Sequence, residues 1–435
     1  MFLDEVVSAQ HNGIALGIPS LCTAHPWVLS TAMRTYAHLD KPLLIESTCN
    51  QVNQEGGYTG LTPADFVAYV SSLAEQAGFP KERLLIGGDH LGPYPWRNET
   101  AEVAMQKAQE LVKQSVQAGY QKIHLDASMP LGDDDSSQPL PLEVIAERTA
   151  RLAQVAIQAA KDRETGSALR FVIGSEVPLP GGAPAQEAGV SVTDVSTIQE
   201  TLSTVQYAFQ KAGLKHLLEQ VIALVVQPGV EFGDDFVLEY QPQNAQALAR
   251  WIESQPSLVF EAHSTDYQTR ENLHALVRDH FAILKVGPAL TFAFRQAVFA
   301  LAHIEEQLCS SEEQSHLWQV IERVMQENPQ YWKNYYDGSP REQALKRKFS
   351  LSDRIRYYWS NPSIQIALET LLSNLNDKAI PIGLLKQYCP HLSISQTSVA
   401  SPLPHQIIEA SIRSVLEDYL SACWGDDQGR ITWKG

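Results

Sequence analysis

Eight short apolar runs recur between residues 13 and 287, and nearly every one ends in polar or ionisable side chains. The runs are Gly13 to Ser20, Pro42 to Glu46, Leu84 to Gly88, Lys122 to Asp126, Phe171 to Glu176, Val221 to Val226, Leu258 to Glu261 and Ile283 to Val286. A strand buried on both faces reads as continuously apolar, and helix-like stretches separate most of these runs. Together they predict an α/β fold, a TIM (β/α)8 barrel whose strand ends supply the reactive groups. Those ends read Cys22 and His25, Glu46 and Asn50, Asp89 and His90, Asp126 and Ser128, Glu176, Gln227, Glu261 and His263, then Lys285.

Helix signals agree with that alternation. Thr62-Pro63-Ala64-Asp65 supplies an N-cap, a proline at the first helical position and an acid at the third, ahead of a periodic run that stops at Gly78. Further helices are expected over Glu99 to Ala118, Leu142 to Lys161, Ile198 to Ala212, Asn244 to Ser254 and Asp266 to Asp279. After Ala289 no strand-like run follows. The chain therefore divides into a barrel over residues 1–305 and a C-terminal helical extension over 306–435, packed on the barrel or placed at a subunit interface. Its aromatic-dense segments, Tyr331 to Tyr336 and Arg354 to Trp359, suit either position.

The 435 residues suffice for a barrel of about 250 to 300 residues plus an appendage. A formal charge of −17 argues against nucleic acid or a membrane surface as partner, while leaving room for small anions in a local basic pocket. The N-terminus lacks the cationic start and apolar core of a signal peptide, and no run approaches the length of a membrane helix, so a cytoplasmic protein is expected. Five cysteines without a CxxC pair fit reduced thiols.

Gly87-Gly88-Asp89-His90-Leu91-Gly92 carries the strongest local signal. A neutral imidazole is a good ligand for Zn²⁺ or a similar divalent metal, and an adjacent carboxylate can move a proton on a substrate that the metal polarises. His90, Glu176 and His263 form the expected metal set, two imidazoles and one carboxylate. Asp89, Asp126 and Glu46 are the candidate catalytic carboxylates, with Asp126 either orienting His90 or acting as a further acid or base. His124 reads as a satisfied core histidine. Lys285 reads as electrostatic or structural in preference to a Schiff-base lysine. Phosphate is expected near the start of the helix after the eighth strand, on Gly287, Thr291 and Arg295, with Ser264 and Thr265 as hydroxyl donors. Two glycine-rich loops, at residues 53–60 and 178–182, stand over the same mouth as candidate lids. GxxxxGK[ST] is absent, so no nucleotide is expected.

Several longer motifs narrow the reading. Glu46-Ser47-Thr48-Cys49-Asn50-Gln51-Val52-Asn53-Gln54, Gly56-Gly57-Tyr58-Thr59-Gly60, Gly87 to Pro93, Lys122 to Ser128, Gln227 to Phe232, Glu261 to Tyr267 and Leu351-Ser352-Asp353-Arg354-Ile355-Arg356-Tyr357-Tyr358 resemble the GatZ/KbaZ family over nearly the whole chain. The resemblance implies a barrel subunit of tagatose-1,6-bisphosphate aldolase in galactitol or N-acetylgalactosamine breakdown. Such a Z-type chain is non-catalytic, and a separate zinc-dependent class II Y-type chain needs it for full activity and stability. A sugar phosphate and an oligomeric assembly are implied with it. Asp89-His90 also resembles the Asp-His segment of class II aldolases, in which the Asp transfers protons and the His binds zinc. Here Leu91 replaces their second adjacent histidine, and strand six ends in Gln227. The alternative that stays open is a metal-dependent ketose-phosphate epimerase or aldolase active on its own.

Overall fold

The computed structural model describes residues 1–161, 169–174, 190–390, 403–425 and 430–431. Eight parallel strands close a barrel: β1 (Ile18–Leu21), β2 (Leu43–Thr48), β3 (Leu84–Leu91), β4 (Lys122–Leu125), β5 (Arg170–Ile173), β6 (Val221–Val225), β9 (Val259–Ala262) and β10 (Phe281–Val286). A two-stranded hairpin, β7 (Glu231–Phe232) with β8 (Val237–Leu238), interrupts the alternation after β6. Residues Gly13 to Gly17 of the first apolar run are not strand. Gly13 there has φ +75°, and the pairing begins at Ile18.

Helix α1 (Phe2–His11) packs Leu3, Val6 and Val7 against Ile18, Leu44, Leu85 and Ile222, so one end of the barrel is plugged by apolar side chains. Gln10 fixes the plug, its Nε2 donating to the carbonyls of Leu16 (2.8 Å) and Val277 (2.9 Å). The shell helices are α2 (Pro26–Ala37), α3 (Pro63–Gln76), α4 (Ala101–Ala118), α5 (Leu142–Lys161), α6 (Val195–Lys211), α7 (Pro242–Ile252), α8 (Arg270–Arg278) and α9 (Pro288–Leu308). At α3 the capping box forms as read: Thr62 Oγ1 accepts from the Asp65 amide, and Asp65 accepts from the Thr62 amide. Helix α8 starts four residues later than its pattern suggests. Thr269 caps it, and the preceding Thr265, Asp266 and Gln268 spend their side chains on the neighbouring backbone.

Helix α9 runs unbroken across residue 305, and beyond it lie α10 (Leu317–Glu327), α11 (Pro340–Phe349), α12 (Pro362–Asn376), α13 (Ile382–Tyr388) and α14 (Leu403–Trp424). The last helix returns to the barrel. Trp424 Nε1 donates to the Gly17 carbonyl (2.8 Å), the Gly17 amide donates to Cys423 (3.2 Å), and Ser411 Oγ donates to Ala293 (2.9 Å). Apolar residues of α9, α12 and α14 belong to the same continuous core as the strands.

Candidate active site at the open end of the barrel

The end opposite α1 is where the sequence placed the chemistry, and a local irregularity in β3 shapes it. Along β3 and β4 the register runs Gly88 to Ile123 and then Leu91 to Leu125, so β3 holds one extra residue. His90 absorbs it with φ +50°, a left-handed conformation unusual for a side chain with a Cβ. Neighbouring residues on a regular strand point to opposite faces, but this bulge lets Asp89 and His90 both deliver side chains to the mouth. Gly92 must follow. A Cβ there would lie 1.7 Å from the Asp126 carbonyl oxygen.

Three imidazoles gather around Asp89. The ring centroids of His90, His124 and His263 are 4.9 to 5.3 Å apart, close to what three ligands sharing one ion at about 2.0–2.1 Å require. One nitrogen of each is engaged. His90 Nδ1 meets Asp126 Oδ2 at 2.8 Å and His263 Nε2 meets Glu261 Oε1 at 3.0 Å. His124 Nδ1 meets both Asp89 Oδ1 (2.9 Å) and the His90 amide (3.1 Å). At His90 the carboxylate of Asp126 holds one nitrogen while Nε2 faces Asp89 at 3.7 Å, the usual support of a metal-binding histidine. His124 Nε2 is buried with no hydrogen-bond partner among the described residues. The four side chains Asp89, His90, His124 and His263 bring one ligand atom each within 4.8 Å of one another.

Beneath them lies a buried ion layer. Lys122 Nζ sits 2.7 Å from Glu46 Oε1 and 2.6 Å from Glu261 Oε2, while Lys285 Nζ contacts Glu46 and lies 2.9 Å from Asp89 Oδ1. Gly87 leaves the space that the Glu46 side chain fills. Burial alone would raise the Asp89 carboxyl, yet His90, Lys285 and the His124 contact hold it well below the usual carboxylate range. Glu261 is likewise held low against burial by Lys122 and Lys285. Burial also opposes the charge on Lys285, but Asp89 and its other anionic neighbours keep it firmly protonated. His263, by contrast, is driven down to about 4 by burial and is neutral at pH 7.

Four acids, Glu46, Asp89, Asp126 and Glu261, share this buried region with two lysines, Lys122 and Lys285. Buried charge without a counter-ion is costly. Burial opposes the charge on His90, but Asp89 and Asp126 raise its pKa. A divalent cation would add positive charge to this acid-rich region. The donor set and the charge therefore fit such an ion.

Of the expected metal set, His90 and His263 come together, and Glu176 lies outside the described residues. His124, read as a core histidine, is fully buried but belongs to the cluster. The strand pattern that points it into the barrel also points it at Asp89. No local pattern singles out Lys122, whose role depends on acids from two other strands. Cys22 Sγ is 3.8 Å from Asp89 Oδ2, and burial pushes its thiol well up, so it stays protonated.

The residues expected to hold phosphate are mostly committed elsewhere. The Gly287 and Ala289 amides at the start of α9 donate to Asp266 Oδ1 (3.0 and 2.7 Å), so the protein supplies its own anion there. Thr265 Oγ1 donates to the Lys285 carbonyl (2.6 Å). Thr291 donates to Asp353 Oδ2 (2.5 Å) and Arg295 pairs with Asp353 Oδ1 (2.8 Å). Ser264 alone of the five both lines the mouth and has no such bond among the described residues.

The mouth encloses a cavity of ≈120 Å³, walled by Asp89, His90, His263 and Lys285 below and by Tyr58 and Arg356 beside them. A second cavity of ≈400 Å³ adjoins it, walled by His25, Trp27, Tyr69 and Trp359. Arg356, Tyr357 and Trp359 come from the extension, a contribution to the site that no local pattern announces.

Comparison with known proteins agrees with the motifs. The D-tagatose-1,6-bisphosphate aldolase subunit GatZ/KbaZ-like family matches residues 3–424. The GatZ subunit of that aldolase from Salmonella gallinarum is 49% identical over 425 residues, covering 98% of this chain and 100% of the relative. Its counterpart from Klebsiella pneumoniae is 49% identical over 427 residues, covering 97% and 99%. A crystal structure described as a probable tagatose 6 phosphate kinase from Sinorhizobium meliloti superposes with a TM-score of 0.85 at 42% identity, covering 94% of this chain and 100% of that one. By full-length similarity and by shared fold, this chain belongs to the GatZ/KbaZ-like family of D-tagatose-1,6-bisphosphate aldolase subunits.

Proposed function

We propose that the chain is the Z-type subunit of a cytoplasmic D-tagatose-1,6-bisphosphate aldolase, and that it brings a separate class II Y-type catalytic chain to full activity and stability. The pathway would be tagatose 6-phosphate degradation from galactitol or N-acetylgalactosamine, ending in glycerone phosphate and glyceraldehyde 3-phosphate. The end-to-end similarity to GatZ subunits carries this reading. Gln227 Oε1, at the end of strand six, accepts from the Gly229 (2.8 Å) and Val230 (3.0 Å) amides, so it shapes a loop.

A second reading rests on the histidine cluster: a metal-dependent ketose-phosphate epimerase or aldolase active without a partner. His90, His124 and His263 would hold Zn²⁺ or a similar ion, which supplies polarisation of a substrate carbonyl or hydroxyl oxygen. Asp89, kept ionised in the mouth, is placed to accept a proton, and the Lys285 ammonium is placed to meet developing negative charge on a sugar oxygen.

The two readings separate when the purified chain, metal-loaded and metal-stripped, is incubated with tagatose 6-phosphate and tagatose 1,6-bisphosphate with and without a Y-type aldolase, products being followed by NMR. The accessory reading expects cleavage only with the Y-type chain, faster when this chain is added. Metal-dependent turnover by this chain alone would overturn it in favour of the second. His124→Ala should lower bound metal per chain, measured by mass spectrometry, as much as His90→Ala does.

A further inference from the structure

Arg356 lies in the 3-10 turn Arg354–Tyr357 and lines both cavities at their junction. Its hydrogen bonds all go to neutral acceptors, namely the Ser352 carbonyl, the Asp353 carbonyl (3.1 Å) and the Tyr357 hydroxyl (2.9 Å). Among the described residues no carboxylate pairs with it, whereas the buried Arg295 and Arg347 each have an acid. The nearby acids are already engaged: Asp353 by Arg295 and Thr291, and Asp266 by two amides. Lys285, the other cation of the mouth, is neutralised by Glu46 and Asp89. A sheltered guanidinium that feels Asp353 and Asp266 only at longer range, with no carboxylate in ion-pair contact among the described residues, and that opens onto a cavity is a site for an anion, and its planar fork suits phosphate oxygens.

We infer that Arg356 is the phosphate-binding residue of the mouth, so that the C-terminal extension supplies the contact that selects phosphorylated ketoses. The polyol faces Asp89 and the histidines, and the phosphoryl group lies against the Arg356 fork where the two cavities join, beside the packed rings of Tyr58 and Tyr357. Tyr357 is the positioning residue, because its hydroxyl accepts from Nη2 and turns the fork. This inference rests on the sugar-phosphate reading above, but not on which chain performs the cleavage.

The test is calorimetric binding of tagatose 6-phosphate, tagatose and inorganic phosphate to the full chain and its Arg356→Gln, Arg356→Lys and Tyr357→Phe variants, with melting temperature and bound metal measured alongside. The wild type should bind tagatose 6-phosphate at least about ten-fold more tightly than tagatose, and Arg356→Gln should lose about 10- to 100-fold for the phosphorylated sugar only. Arg356→Lys and Tyr357→Phe should lose a few-fold each, and they carry the test if Arg356→Gln does not fold. Equal affinity for tagatose and its 6-phosphate, or Arg356 variants that bind like wild type, would overturn the assignment. A chain that fails to activate a Y-type aldolase yet shows Arg356-dependent preference for the phosphate ester would sink the accessory reading above and leave this inference standing.

Discussion

Asp266 shows how a buried acid can be an anchor and a liability at once. It is 3% exposed and accepts from the two amides that open α9, yet burial outweighs those amides and pushes its carboxyl up to about 6. A folded pKa above the unfolded one of about 3.9 means that the folded state holds the proton more tightly. This group's contribution is therefore most favourable below about pH 4, declines as pH rises to 6, and above that leaves a penalty on the order of 2–3 kcal/mol. Asp266→Asn keeps a carbonyl oxygen for both amides and removes the charge. Urea denaturation should find the variant more stable than wild type at pH 7.5, with the gap closing towards pH 4; a gap that does not vary with pH would refute this account. At this scale the sequence was most legible where a residue sits at a strand's end, as Asp89, His90 and His263 do. It was least legible where function depends on a distant partner. Lys122 acquires its role from Glu46 and Glu261, and Arg356 from a cavity whose other walls, Tyr357 apart, lie 68 (Pro288) to 334 (Cys22) positions away in sequence.

Among the elements, β3 is the one whose irregularity the site requires. The bulge at His90 gathers two adjacent side chains in the mouth, and Gly92 passes against Asp126, which in turn holds His90 Nδ1. Gly92→Ala would drive a methyl group into the Asp126 carbonyl and displace it. Gly13→Ala is the control: with nothing within 4 Å of its Cβ and φ +75°, it should cost only the left-handed penalty of roughly 1–2 kcal/mol. The expected outcome is a larger loss of stability for Gly92→Ala in urea, together with loss of bound metal that Gly13→Ala does not share. Element boundaries were legible at Thr62 before α3 and at Gly119, in a left-handed conformation, after α4, but not at the Thr269 cap of α8. The bulge was not legible, because an apolar run ending Gly-Gly-Asp-His-Leu-Gly looks the same with one extra residue or without it.

For the whole molecule, the open question is whether barrel and extension are one cooperative unit. Asp353, fully buried, joins Arg295 and Thr291 of α9 to the turn that carries Arg356. Its φ of +47° favours Asn among the uncharged replacements. Asp353→Asn would leave the Arg295 guanidinium buried without its acid, a loss expected at about 3–5 kcal/mol, since removing one partner of a buried pair strands the other. Arg295→Met strands Asp353 in the same way, and the double variant should lose clearly less than the two singles added together. The exposed Lys81–Glu75 pair, with side chains 56% and 75% accessible, should give less than about 1 kcal/mol in the same experiment. Because α14 hydrogen-bonds to the entry of β1 and shares the apolar core of α9, unfolding followed by tryptophan fluorescence and by far-ultraviolet circular dichroism should give coincident transitions. Trp332 and Trp359 report on the extension in the first signal, while the barrel dominates the second. An early fluorescence transition would mean that the extension melts separately, and Arg356 would then leave the mouth before the barrel opens.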